Sequence, residues 1–289
     1  MASTIALKQR IKSIKGTRQI TKAMQLVSAS KLRRAQEYAA ASRAYADLAN
    51  ELLARLSGIN EVEREPLFVK REVHTRLYIV VTSNSGLAGA YNANVLKQLT
   101  TGLRADAAAI VKSQVIAIGS KGAQFVRRLN EAELIAVYPS LGDHPSANDI
   151  RPILTTMIDL YKNAEVDDIR LLYTKFQSTV VQIPQSLQLL PAEAPERDEA
   201  KVAVVSNFEP DVETVIDQVT IRLVEAQIWQ AVLESLASEH AMRMVAMKNA
   251  TDNAKDLIDD YTLALNTARQ SAITQELAEI SGGAEALNG

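Results

Sequence analysis

Residues 211–281 read DVETVIDQVTIRLVEAQIWQAVLESLASEHAMRMVAMKNATDNAKDLIDDYTLALNTARQSAITQELAEIS, and in all of that run there is neither proline nor glycine. As one helix it would extend roughly 105 Å at about 1.5 Å per residue, far beyond the usual helix of a globular domain. Asn207 to Asp211 suits a helix start, with Pro210 near the first turn and Asp211 complementing the dipole. Gly282-Gly283 suits a stop. The apolar pattern agrees. Val212, Ile216, Val219, Leu223, Ala226, Gln230, Leu233, Ala237, His240, Met244, Met247, Thr251, Ala254, Ile258, Tyr261, Leu265, Ala268 and Ala272 alternate spacings of three and four. This is a heptad seam, with a few polar members, sustained well past the length that marks a coiled coil.

The other end of the chain repeats the device. Leu7, Ile11, Ile14, Arg18, Thr21, Gln25, Ser28, Leu32, Ala35, Ala39, Ser42, Ala46, Ala49, Leu53 and Leu56 hold one register until Ser57-Gly58. Alanine and serine line its second half, which allows close helix approach, while Ile20, Met24 and Val27 place apolar groups on an adjacent face. The expected arrangement is two long helices from opposite ends paired antiparallel, with a parallel homodimer as the competing reading. All eight prolines lie between Pro66 and Pro210, and this middle region reads differently. Short apolar runs at Leu77–Val81, Val115–Ile118, Leu134–Val137, Ile169–Phe176, Val180–Gln188 and Val202–Val205 predict strands. Helical stretches at Asn92–Ala109, Lys121–Leu129 and Ile150–Asn163 interrupt them. Such alternation predicts a mostly parallel sheet with helices on its faces. The expected architecture is therefore an α/β, Rossmann-like domain at 59–208, inserted between coiled-coil helices at 1–58 and 209–289.

Composition narrows the chemistry. Hydrophobic residues make up 47% of the chain but aromatics only 4%, which favours closely packed helices over a core of large rings. A net charge of -2 gives no global attraction to nucleic acid or membrane. No stretch approaches the roughly 18 apolar residues of a membrane span, and the absence of cysteine removes disulfides, thiolate metal sites and cysteine nucleophiles. Residues 1–36 nevertheless carry nine basic side chains and no acid. A protein partner and plain solvation fit that face equally. Nucleic acid ranks third, because no aromatic residue accompanies the charges and apolar heptad positions run through the same segment.

No catalytic set assembles from local spacing. The Ser83–Gly89 turn after the first strand is neither G-x-G-x-x-G nor a P-loop, and Gly119-Ser120-Lys121-Gly122 is weaker still. His74, His144 and His240 have no partner histidine at metal-ligand spacing. His144 reads as solvated and His240 as packed in the seam. Asp167-Asp168 and Asp259-Asp260 read as solvated pairs. Catalytic, cofactor and metal residues are accordingly all expected to be absent, and a nucleotide-dependent α/β enzyme dimerised by its coiled coil is the alternative.

Recognition comes from longer blocks. IKSIKGTRQITKAM (11–24), VSASKL (27–32), ASEHAMRMVAMKNATDNA (237–254) and NTARQSAITQEL (266–277) closely resemble the gamma-subunit family of F-type ATP synthases. With the long–α/β–long layout, the resemblance covers essentially the whole chain. It implies a non-catalytic rotor whose terminal helices enter a hexamer of alpha and beta subunits. The α/β domain would lie against the epsilon subunit and the c-subunit ring. The protein would be peripheral, associated through the complex alone with the cytoplasmic face of a bacterial membrane or the matrix side of an organelle inner membrane. Carried over position by position, Lys22, Met24 and Arg243 would lie at the contact with the beta subunit. Arg269, Gln270, Thr274 and Glu276 would engage catalytic-subunit loops, and Phe208 and Glu209 would face the c ring. The family's first strand–helix loop commonly carries an acid, a base and a cysteine. Here it is Ser83-Asn84-Ser85-Gly86-Leu87-Ala88-Gly89, and thiol switching is ruled out.

Overall fold

The apolar, β-branched runs of the middle region become the strands of one sheet in the computed structural model, which describes residues 4–56, 65–138, 142, 146–192 and 212–288. Five strands, β1 (Thr75–Val81), β2 (Lys112–Ile118), β3 (Glu133–Tyr138), β4 (Asp168–Phe176) and β5 (Gln182–Leu190), order as β3-β2-β1-β4-β5. The first three junctions are parallel and only β5 runs antiparallel, against β4. The parallel connections are made by helices α2 (Tyr91–Ala108), α3 (Ser120–Val126) and α4 (Ala147–Lys162). Each expected element of the middle region is present apart from the strand at Val202–Val205, which lies outside the described residues, as does the expected helix start at Asn207–Asp211.

Period-two alternation assigns the two faces of the sheet. Leu77, Ile79 and Val81 point into a core shared with Ile153 and Met157 of α4 and with Ile216, Leu223, Val224 and Ile228 of α5 (Val212–Asn288). Tyr78 and Val80 point the other way, onto Val95, Leu99 and Leu103 of α2 and Val126 of α3. A parallel sheet covered on both faces accounts for the unbroken apolar character of β1.

Two compact units divide the chain, residues 1–27 with 244–289 and residues 28–243. In the first, the seam of α1 (Thr4–Leu56) buries Leu7 and Thr21, and that of α5 buries Met247, Ala254 and Ile258. The Thr251 hydroxyl donates to the Thr21 hydroxyl (2.8 Å), and the Arg10 guanidinium lies 5.9 Å from the Tyr261 ring. Pairing 10 with 261 and 21 with 251 makes the two segments antiparallel, as expected. In the second unit Ser28, Leu32, Ala35 and Ala39 are buried, and the Ser42 hydroxyl bonds the Gln230 side chain. Again the direction is antiparallel.

Two expectations fail. Helix α5 does not stop at Gly282-Gly283 but continues to Asn288. Glycine lowers helix propensity by about 1 kcal/mol, yet it ends a helix only where the chain turns left-handed, and here it does not. Asp167 and Asp168 are not solvated but buried. Asp167 accepts the backbone N–H groups of His74 (2.9 Å) and Thr75 (3.0 Å), fixing the entry to β1. Asp168 bonds the guanidinium groups of Arg76 and Arg170, both at 2.9 Å.

Arg76 also pairs with Asp106 at the end of α2, whose second oxygen accepts the hydroxyls of Tyr78 (2.7 Å) and Ser113 (3.0 Å). Asp106 is 1% exposed, so removing it leaves a buried guanidinium short of its counter-charge. Asp106→Ala is expected to lose about 3–5 kcal/mol in urea unfolding, whereas Tyr78→Phe loses about 1 kcal/mol.

Burial, and then the bond to Asp106, pushes the Tyr78 phenol up to about 12; burial and then Glu234 do the same for Tyr173. An unfolded phenol ionises near pH 10, so the folded state holds these protons more tightly. That contribution is complete below about pH 10 and is lost as pH rises toward 12. An alkaline titration should therefore show a late step in tyrosinate absorbance that coincides with the loss of circular dichroism.

Candidate functional site

In open α/β sheets ligands bind outside the carboxyl ends of the strands, where the strand order reverses. Here that point lies between β1 and β4. Their pairing ends at Val80–Leu172, two residues short of Thr174. On its other side Thr174 faces Pro184 of β5, which has no N–H to give. The backbone groups of Thr174 thus turn toward the gap, where they would be orphaned. Helix α5 takes them up. The Thr174 N–H donates to the Ser235 hydroxyl (2.9 Å) and the Ser238 hydroxyl donates to the Thr174 carbonyl (3.1 Å). Both serines are fully buried. The crevice that holds a nucleotide in an enzyme of this topology is filled by the protein's own helix.

The turn glycines serve packing in the same way. Gly119 has φ +96°, and a Cβ there would lie 2.1 Å from the Thr82 carbonyl oxygen. The amides that could cradle a phosphate at the start of α3 are all engaged. Ser120 N–H donates to the Asn84 side chain (3.1 Å), Lys121 N–H to the Ser83 carbonyl (3.1 Å) and Gly122 N–H to the Thr82 hydroxyl (2.8 Å). Among the described residues no group of three or more His, Asp or Glu side chains could hold a metal ion, and no helix is long and apolar enough to cross a membrane.

The sequence-nominated residues fall into two kinds. Lys22 is exposed and Met24 half-buried on α1, beside the exposed Ile20, Leu26 and Val27, so the second apolar face of this helix has no partner within its unit. Arg269, Gln270, Thr274 and Glu276 are exposed on α5, where every described position from 269 onward is exposed, Ile273, Leu277 and Ile280 included. Arg243 is of the other kind. It is 7% exposed, and its guanidinium binds Glu239 (2.7 Å), the Ser85 hydroxyl (3.1 Å) and the Ser85 and Gly86 carbonyls (both 3.5 Å). It ties the Ser83–Gly89 loop to α5. Phe208 and Glu209 lie outside the described residues. His240 is packed, as its seam position predicts, and His74 is exposed beside Glu72. The pairing of Ser235 and Ser238 with β4 was not foreseen, although two serines three apart in an otherwise apolar stretch were its visible signal.

Arg243→Ala removes the tie and leaves Glu239 buried without this counter-charge. Hydrogen exchange at the amides of residues 85–89 is expected to accelerate by about tenfold or more, with roughly 3 kcal/mol lost in stability. Unchanged protection of those amides would show that Arg243 does not hold the loop.

Comparison with known proteins follows this geometry closely. A family model described as ATP synthase matches residues 3–287. The ATP synthase gamma chains of Ralstonia nicotianae and Acidithiobacillus ferrooxidans are each 42% identical to this chain, over 99% of it and 100% of their own length. Among solved structures, a chain of the Euglena gracilis mitochondrial ATP synthase in rotational state 3 superposes with TM-score 0.69 at 19% identity, covering 99% of this chain and 94% of that one. One from the central stalk and c ring of the Tetrahymena thermophila mitochondrial ATP synthase gives TM-score 0.64 at 22% identity, covering 80% of this chain and 99% of that one.

Proposed function

The chain belongs to the ATP synthase gamma chain family, and from that premise we propose that it is the central-stalk rotor of a proton-translocating F-type ATP synthase, without catalytic residues of its own. The observation that carries this reading is the 42% identity to gamma chains along 99% of the sequence. The filled crevice at the β1–β4 junction supports the non-catalytic part: the fold's usual ligand position is occupied by Ser235, Ser238 and their helix.

In this reading the working parts are residues 1–58, 59–208 and 209–289, the first and last acting as a coiled coil. The shaft turns inside a hexamer of alpha and beta subunits, and the α/β domain rests on the epsilon subunit and the c ring. Lys22 and Met24 contact a beta subunit. Arg269, Gln270, Thr274 and Glu276 engage loops of the catalytic subunits, and Phe208 and Glu209 face the c ring. Arg243, buried in its own unit, acts on that contact indirectly through the loop it holds. The protein is peripheral at the cytoplasmic face of a bacterial membrane, or the matrix side of an organelle inner membrane, and reaches the bilayer only through its complex. Proton flow turns the shaft, whose differential contacts bias the catalytic sites through their states.

Native mass spectrometry of the complex, isolated from gently solubilised membranes through a tag on this chain, tests the reading. One copy with three alpha and three beta subunits is the expected result. A homodimer free of ATPase subunits would sink it and favour the coiled-coil-dimerised enzyme. Within the intact complex, Arg269→Glu should lower ATP-driven proton pumping several-fold relative to the hydrolysis that remains.

A further inference from the structure

Beside the filled crevice lies a cavity of about 210 Å³, walled by the carboxyl ends of β1 and β2, the Ser83–Gly89 loop, α1 and α5. All of its walls belong to one compact unit, residues 28–243. Its polar lining is unusual for the interior of a helix–sheet layer. Lys31, His240 and Arg243 face it together with Ser85 and Tyr91, and Glu239 is the only carboxylate. Two permanent positive charges thus meet one negative charge, which is already in contact with Arg243. Arg243, His240 and Tyr91 are each more than nine-tenths buried, so charges here are poorly screened. Burial, and then Glu239, pushes the Tyr91 phenol well above its usual range, which keeps it a hydrogen-bond donor at neutral pH.

Size selects among ligands. Organic ligand and cofactor sites occupy about 300–1,000 Å³, and this space is smaller. It accommodates an ion of a few heavy atoms. The donors are an ammonium, a guanidinium edge, an imidazole, a hydroxyl and a phenol, and they match an acceptor-rich tetrahedral oxyanion. We propose that this cavity is a binding site for a small free oxyanion of the phosphate class, held by Lys31, Arg243, His240 and Ser85. Bound there, the ion joins α1, α5 and the Ser83–Gly89 loop through shared charge-assisted contacts and stiffens the loop that Arg243 already anchors. The site does not depend on the rotor reading, since its ligand is bound by this chain alone.

The test is titration of the full-length purified chain with inorganic phosphate at constant ionic strength, followed by calorimetry and by phosphorus NMR. Phosphate also stabilises proteins by exclusion from their surface, so melting temperature is not the readout. Saturable one-site binding with a Kd on the order of 1 mM or tighter is expected. Lys31→Met should weaken it by about tenfold or more while leaving circular dichroism unchanged. Ser85→Ala, which removes a neutral donor, should weaken it less. Absence of saturation, or equal affinity in wild type and Lys31→Met, overturns the proposal. A third arm adds adenosine monophosphate as competitor. Failure to compete supports a free ion, whereas competition as strong as phosphate's overturns the assignment to a free ion.

Discussion

The apolar flank of α5 between Ile216 and Ala241 must be kept from water, and the sheet is the surface that does so. This burial settles what the α/β domain can be. Once Ile216, Leu223, Val224 and Ile228 lie on the face presented by Leu77, Ile79 and Val81, the helix passes over the gap between β1 and β4. A hydrocarbon surface there would strand the Thr174 backbone, at a cost of about 1–3 kcal/mol for each unsatisfied group. Ser235 and Ser238 remove that cost while leaving the rest of the helix apolar. One packing decision therefore covers the sheet, satisfies the splayed strand end and occupies the position where related topologies hold a ligand.

Along α5 the demands on side chains change by region. Between 223 and 241 nearly every face is buried, because helix, sheet and loop all pack there. Between 244 and 268 only the seam is covered, and beyond it nothing is. An exposed stretch that still carries Ile273, Leu277 and Ile280 is poorly explained by solvation alone. In the rotor reading, those side chains and the polar set at Arg269–Glu276 meet surfaces supplied by other subunits. The unpartnered face of α1 at Ile20, Leu26 and Val27 has the same explanation.

Much of this was legible in the sequence because it depends on local periodicity. The three–four spacing of the two seams correctly named Leu32, Ala35, Ala39, Leu233, Ala237, Ala254 and Ile258 as buried. The β-branched runs located every described strand to within a few residues. What escaped depends on partners distant in sequence. Nothing near Asp167 indicates that it accepts the amides of His74 and Thr75, 93 and 92 residues away, and nothing near Arg243 points to Ser85, 158 residues away. Gly282-Gly283 misled for another reason. Glycine is permissive, and permission to turn is not an instruction to stop. Of the nominated contact residues, the sequence distinguished chemistry but not burial, so Arg243 stood beside Lys22 although one is enclosed and the other exposed.

A subunit that transmits torque needs no reactive group. It needs elements that do not yield separately, and surfaces that different partner states contact differently. The enclosed residues serve the first requirement. Arg243, Glu239 and the Ser83–Gly89 loop are linked by charge-assisted bonds, and Arg76 joins Asp106 to Asp168 across the base of the sheet. The exposed residues serve the second, because rim contacts guide recognition at little cost to folding stability. On the proposed function, changes at Arg269 or Glu276 therefore act on coupling with the fold intact, whereas changes at Arg243 or Asp106 weaken the transmitting body itself. The division between enclosed and exposed positions is thus also a division between how stiffly the shaft carries a displacement and where it delivers it.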